Sequence, residues 1–154
     1  MTINKIVVSA ILGLSLSMPL MAGGALSQAL IQEAKKSAKV ITAKELKVKI
    51  DAEEDLFMLD IREPYMIPEG SIEGMENVAI PRGLLEFEIT DKIENKDALI
   101  VVYCRSGKGA ALSAKMLKED MHYTNVHYLE GGLDAWLEAG NSVFNHLGEL
   151  KLAK

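Results

Sequence analysis

Cysteine is nearly absent from this sequence. The 154 residues include a single one, Cys104. One thiol cannot form an internal disulfide, a cysteine-based zinc cage or a two-cysteine redox couple. The sequence therefore predicts that any chemistry of Cys104 uses an isolated sulfur.

A surplus of positive charge is also missing. The chain has 17 lysines and arginines against 22 aspartates and glutamates, a formal net charge of −5. Proteins that bind nucleic acid need excess cationic side chains against the phosphate backbone, so nucleic acid is not an expected partner. The 49% hydrophobic and 25% charged content is typical of globular proteins and excludes a disordered chain, and the length suits one domain.

The amino terminus has the order of a secretory signal. Lys5 precedes the apolar run Ile6–Leu20, and small residues follow it. This run is shorter than the ~20 residues that a membrane-spanning helix needs, which favours cleavage over a retained anchor. We expect residues 1–25 to be a signal peptide cleaved after Ala22 or Ala25. The mature protein is then expected to be periplasmic or secreted, with no stable membrane span.

Helix and strand patterns alternate along the rest of the chain. Amphipathic spacing predicts a linker helix within residues 26–39, and the capping-box pair Thr42 and Glu45 predicts a helix that runs through Ile50. Further helices are predicted at 110–120 and from Leu133 onward. Apolar runs predict strands at Val40–Ile41, Leu56–Leu59, Val78–Ile80, Leu99–Tyr103 and Val126–Leu129.

This alternation predicts an α/β fold with an open parallel sheet covered by helices on both faces. The domain is expected at residues 40–140. The tail at 141–154 shows no identifiable chemistry, and 83–90 fits neither a strand nor a helix clearly. Ligands of open parallel sheets bind beyond the carboxyl ends of the strands, where Cys104 lies.

A thiol thus stands between a predicted strand and a predicted helix. Cys104 follows Leu99–Tyr103, and two glycines lie in the loop that leads to the helix. Glycines let successive backbone N–H groups point inward, and the helix dipole adds positive potential. The pattern predicts an anion receptor that also stabilises a thiolate nucleophile, with Arg105 and Lys108 as nearby cations.

The sequence around Cys104 also fits an inert thiol, and its spacing bears on a phosphatase. A lone cysteine after an apolar strand is often a small buried hydrophobe, and the sequence shows no obvious base. Thiolate attack on a phosphoryl group would need a cysteine, five residues and an arginine, but Ala110 stands at that offset. The spacing disfavours a phosphatase. It does not exclude the interpretation of Cys104 as an inert thiol.

Separated motifs, in the right order over residues 40–140, resemble the rhodanese-like sulfurtransferase family. Ser71 replaces the histidine of the family's Gly-His-Ile turn. The motifs are Leu59-Asp60-Ile61-Arg62-Glu63, Glu69-Gly70-Ser71-Ile72-Glu73-Gly74, Val78-Ala79-Ile80-Pro81, Cys104-Arg105-Ser106-Gly107 and Leu129-Glu130-Gly131-Gly132-Leu133-Asp134-Ala135-Trp136.

The resemblance implies a five-stranded parallel sheet and a sulfurtransferase that needs no metal or organic cofactor. Cys104 would take sulfane sulfur from thiosulfate or a persulfide, hold it as a cysteine persulfide and pass it to cyanide or a thiol. No protein partner is indicated. The implied substrate-binding loop comprises Arg105, Ser106, Gly107, Lys108, Gly109 and Ala110.

Gly109 departs from the family pattern, in which many loops of this type carry arginine at that position. Loss of this cation is expected to weaken thiosulfate binding. The alternative function is therefore a catalytically weak rhodanese-like module that binds a partner or anion, or carries sulfur.

Three charged residues follow a predicted strand near the expected pocket. Asp60 and Arg62 are predicted to form a structural ion pair, and Glu63 is expected to line the mouth of the pocket. The three histidines of the chain lack the spacing of metal ligands, so no metal site is predicted.

Overall fold

Five parallel strands form the central sheet, in the spatial order β1-β5-β4-β2-β3. The computed structural model describes residues 23–151. This topology confirms the predicted open parallel sheet. The strands are β1 (Lys39–Ile41), β2 (Phe57–Asp60), β3 (Glu76–Ala79), β4 (Ile100–Tyr103) and β5 (Val126–Leu129).

Helices cover both faces of the sheet. One face packs against α1, α3 and α4, and the other against α2 and α5. Among the described residues, no helix is both long enough and apolar enough to cross a membrane. The helices are α1 (Gly23–Ser37), α2 (Ala43–Asp51), α3 (Leu85–Lys92), α4 (Lys108–Glu119) and α5 (Gly132–Glu138), with 3-10 helices at Pro64–Glu69 and Arg82–Leu84.

The capping box predicted from the sequence begins α2. Thr42 Oγ1 accepts a hydrogen bond from the Glu45 backbone N–H at 3.2 Å, and the Glu45 carboxylate accepts one from the Thr42 N–H at 2.9 Å. The hydrogen bonds that the Glu45 carboxylate accepts from the Thr42 backbone N–H and from the Thr42 hydroxyl lower the pKa of Glu45. The reciprocal pair satisfies two backbone donors that the first turn of a helix leaves free.

β3 differs from the predicted buried strand. It lies at the edge of the sheet, where β2 is its only neighbour among the described strands, and its residues are mostly exposed. The apolar run Val78–Ile80 predicted a buried strand. In the structure, only its last residue, Ile80, is fully buried, and Ile80 follows the strand. Apolar content alone does not distinguish an edge strand from a central one.

The two segments without a predicted structure form regular secondary structure in their described residues. Leu85 and Ile89 face the core from α3, whereas Phe87 is 79% exposed, so the alternating pattern of 83–90 arose on a helix. The tail forms an antiparallel hairpin of β6 (Val143–Asn145) and β7 (Gly148–Leu150). Residues 1–22 of the predicted signal peptide lie outside the described residues.

Candidate active site

Cys104 lies at the carboxyl edge of the sheet, immediately after β4. Its half-buried side chain packs on the α4 face of the sheet. The Sγ atom is 3.5 Å from the point that a Cβ at Gly109 would occupy, so the sulfur lies against the first turn of α4. Ile61 Cδ1 is 3.7 Å from the same point and forms an apolar wall that the sequence did not indicate.

The loop after Cys104 carries free backbone donors. Gly107 has a φ of 76° and precedes α4 without a side-chain cap. Within the described chain, no hydrogen-bond acceptor meets the backbone N–H groups of residues 105–110. Unpaired N–H groups and the positive end of a helix dipole favour an anion at this position. The loop can therefore stabilise negative charge that develops next to Sγ.

The Gly131-Gly132 turn holds the back of this loop. The Leu133 N–H donates to the Cys104 carbonyl at 2.9 Å, and the Asp134 N–H donates to the Arg105 carbonyl at 3.1 Å. Gly132 has a φ of 61°, and a Cβ there would lie 2.4 Å from the Cys104 oxygen. Only glycine permits this backbone approach, which explains why the chain carries glycine at this point of the closing motif.

The Arg105 side chain is held by two carboxylates. Its Nε donates to Asp134 Oδ1 at 2.6 Å, and its Nη1 forms an ion pair with Glu69. All three side chains are about half exposed. The cation expected to assist the pocket is therefore neutralised, and it joins the loop to a 3-10 helix and to α5. Sequence reasoning missed these partners, because nothing local links Glu69 to the loop.

The other loop residues differ in exposure. Ser106 and Lys108 are exposed, Gly109 is half-buried, and Gly107 and Ala110 are buried. In the part of the chain that the structure describes, Lys108 has no ion-pair partner. Lys108 is therefore the loop's uncompensated cation.

Asp60 and Arg62 form a buried ion pair on the opposite face of the sheet from Cys104. Arg62 Nη2 donates to Asp60 Oδ2 at 2.6 Å, and Arg62 Nε donates to Oδ1 at 2.9 Å. Arg62 Nη2 also donates to the Gly70 carbonyl at 2.8 Å. Burial disfavours the guanidinium, but the hydrogen bonds and charge of Asp60 outweigh it and raise the pKa of Arg62. The pair thus fixes the segment between β2 and Gly70.

Ser71 completes this cluster. Its hydroxyl accepts a hydrogen bond from Arg62 at 3.2 Å and donates to Asp60 at 3.3 Å. The neighbouring Tyr103 hydroxyl accepts from the Ile72 N–H at 3.2 Å, and burial raises the pKa of Tyr103. Glu63 is exposed at the start of the first 3-10 helix.

The histidines do not gather into a site. His127 lies half-buried on β5, where burial, with the charges of Lys39 and Lys49, lowers its pKa. Residues 23–151 contain no group of three or more histidine, cysteine, aspartate or glutamate side chains placed to hold a metal ion.

Known proteins share this domain. The family model for the rhodanese-like domain matches residues 42–139. A Bacillus subtilis protein named "Putative sulfurtransferase YtwF" is 39% identical over 101 residues, which cover 64% of this chain and 89% of the relative. A "Sulfurtransferase" of Allochromatium vinosum is 29% identical over 100 residues, which cover 65% of this chain and 89% of the relative.

A solved structure shares the fold as well. It is a Rhodopseudomonas palustris protein described as a possible tyrosine phosphatase, 30% identical with a TM-score of 0.65, and the match covers 76% of this chain and 92% of that one. The match of the family model covers more than half of the chain. The chain belongs to the rhodanese-like domain family, and its relatives from Bacillus subtilis and Allochromatium vinosum are named sulfurtransferases.

Proposed function

We propose that this protein transfers sulfane sulfur through a persulfide on Cys104. The Cys104 thiolate attacks the outer sulfur of thiosulfate, a bond forms between the two sulfurs, and the donor's sulfur–sulfur bond breaks. Sulfite leaves with the bonding electron pair. Cyanide or a thiol then attacks the outer sulfur of the persulfide and regenerates the thiolate, which is a double displacement.

The position of Cys104 Sγ against the first turn of α4 carries this proposal. Six consecutive backbone N–H groups, of residues 105–110, find no acceptor within the described chain. They can serve the anionic states of the reaction as the donors of an oxyanion hole do. A structural cysteine would need neither the free donors nor the left-handed turn at Gly107.

Phosphoryl transfer receives no comparable support. Ala110 stands where the phosphatase pattern needs arginine, and Arg105 is engaged by Glu69 and Asp134. The alternative that remains is a sulfur carrier or binding module that turns over slowly.

A steady-state assay distinguishes an enzyme from a carrier. We expect thiocyanate to form from thiosulfate and cyanide over many turnovers per molecule. One equivalent of thiocyanate from protein that already carries the persulfide, with no reloading from thiosulfate, would favour the carrier. No product with any donor would favour a binding module.

Gly109→Arg is expected to lower the KM for thiosulfate. Gly109 lies within α4 outside the left-handed region, and its added Cβ would make ordinary contacts of 3.5 Å and 3.7 Å. A cation beside Sγ would contribute roughly 1.5–3 kcal/mol, or ~10–100-fold in affinity. Kinetics of the arginine and alanine variants measure this effect. Alanine is the control for bulk, and equal KM values for the two variants would contradict the role of charge.

We also propose that the protein is exported and loses its first 22 or 25 residues. The basic start, the apolar run Ile6–Leu20 and the small residues after it support cleavage. Amino-terminal sequencing of the mature protein is expected to begin at Gly23 or Leu26. A protein that retains Met1 in the membrane fraction would contradict export by cleavage.

A further inference from the structure

The charges around the loop favour one class of sulfur donor, an inference that rests on the proposed function. Two cations, Arg105 and Lys108, stand in the loop, and two carboxylates, Glu69 and Asp134, bind the first of them. These four groups carry no net charge. At the mouth of the site, an anion can thus meet backbone N–H groups and the exposed Lys108, but no free guanidinium.

We infer that Glu69 and Asp134 determine donor specificity by neutralising Arg105. The backbone donors can serve the singly charged end of any sulfane donor. The second charge of thiosulfate must give up water with no free guanidinium and only the solvent-exposed Lys108 to meet it, which costs binding free energy. The site therefore prefers donors with at most one negative charge, such as persulfides.

The chemistry of such a donor matches the proposed mechanism. The Cys104 thiolate attacks the outer sulfur of R–S–SH, the new sulfur–sulfur bond forms and the old one breaks. The thiolate R–S⁻ leaves with the bonding pair, and the proton stays on the persulfide now attached to Cys104. No oxidant or reductant is consumed.

A pair of donors that differ by one charge tests the inference. Methanethiosulfonate and thiosulfate both offer a terminal sulfur, and they release methanesulfinate and sulfite. With cyanide as acceptor, we expect the wild type to show the higher kcat/KM for methanethiosulfonate. In Glu69→Gln/Asp134→Asn, the ratio of the two kcat/KM values is expected to shift toward thiosulfate by about tenfold, because the Arg105 charge is no longer neutralised.

Glu94→Gln/Glu138→Gln is the matched control. Both carboxylates are exposed, and neither forms an ion pair within the described residues. The control removes two negative charges and leaves the Arg105 ion pairs intact, so the ratio of the two kcat/KM values is expected to stay within about twofold, because solvent and salt screen charges outside the site. Adding Arg105→Gln to the first double variant is expected to reverse its shift.

Sulfur transfer with an unchanged ratio in Glu69→Gln/Asp134→Asn would overturn the inference alone, as would an equal shift in the control or a wild-type preference for thiosulfate. If neither donor yields sulfur transfer in the wild type, the proposed function fails with it.

Discussion

Cys104→Ser is expected to fold normally and to lose sulfur transfer completely. Serine keeps the size and position of the side chain, but its oxygen cannot accept a sulfane sulfur as a persulfide. Cys104 is the chain's only thiol, so no second cysteine can replace it. Thiocyanate production and the intact mass after donor treatment measure the loss.

Because Cys104 is only half-buried, Cys104→Ser tests the chemistry of the thiol with little effect on stability. Its side chain packs beside Ile61 and α4 without a hydrogen bond within the described residues. The free energy of unfolding of the variant is therefore expected to stay within about 1 kcal/mol of the wild-type value. Turnover that survives in a folded Cys104→Ser protein would contradict the mechanism.

Asp60→Ala is expected to lower the free energy of unfolding by about 3–5 kcal/mol. Arg62 is 4% exposed, and removal of Asp60 leaves its guanidinium buried without a counter-charge. Denaturant unfolding measures this loss. The exposed Asp55 lies just before β2, and Asp55→Ala is the control, with an expected change within about 0.5 kcal/mol.

The same variant separates stability from chemistry. Asp60 and Cys104 lie on opposite faces of the sheet, so the persulfide formed per folded molecule is expected to persist in Asp60→Ala. Asp60→Asn keeps the side chain's shape and is expected to lose less stability, which gives a folded protein if the alanine variant does not fold. Unchanged unfolding with lost persulfide formation would make Asp60 part of the chemistry.

The arrangement of the fold could be predicted because its signals are local. Thr42 with Glu45 begins a helix through bonds within one turn, and the β-branched run before Cys104 forms the central strand β4. β3 could not be placed at the sheet edge, because strand order depends on contacts between segments far apart in sequence. α3 could not be predicted for the same reason. Its alternating apolar residues also fit a strand, and the helix is favoured by the packing of Leu85 and Ile89 against the core.

The candidate site divides in the same way. The order of strand, loop and helix around Cys104 could be predicted from the sequence, and the family resemblance identified the glycines of the closing turn. The direction of Arg105 could not, because its partner Glu69 comes from a distant 3-10 helix and competes with the pocket for the cation. The close backbone approach at Gly132 is likewise a tertiary contact.

Mass spectrometry of the wild-type protein after brief treatment with a sulfane donor tests the central claim most directly. We expect a gain of one sulfur atom, located by peptide mapping on the peptide that contains Cys104. Cyanide is expected to remove it and release one equivalent of thiocyanate. An unchanged mass with both thiosulfate and methanethiosulfonate, or added sulfur on any other peptide, would contradict the account.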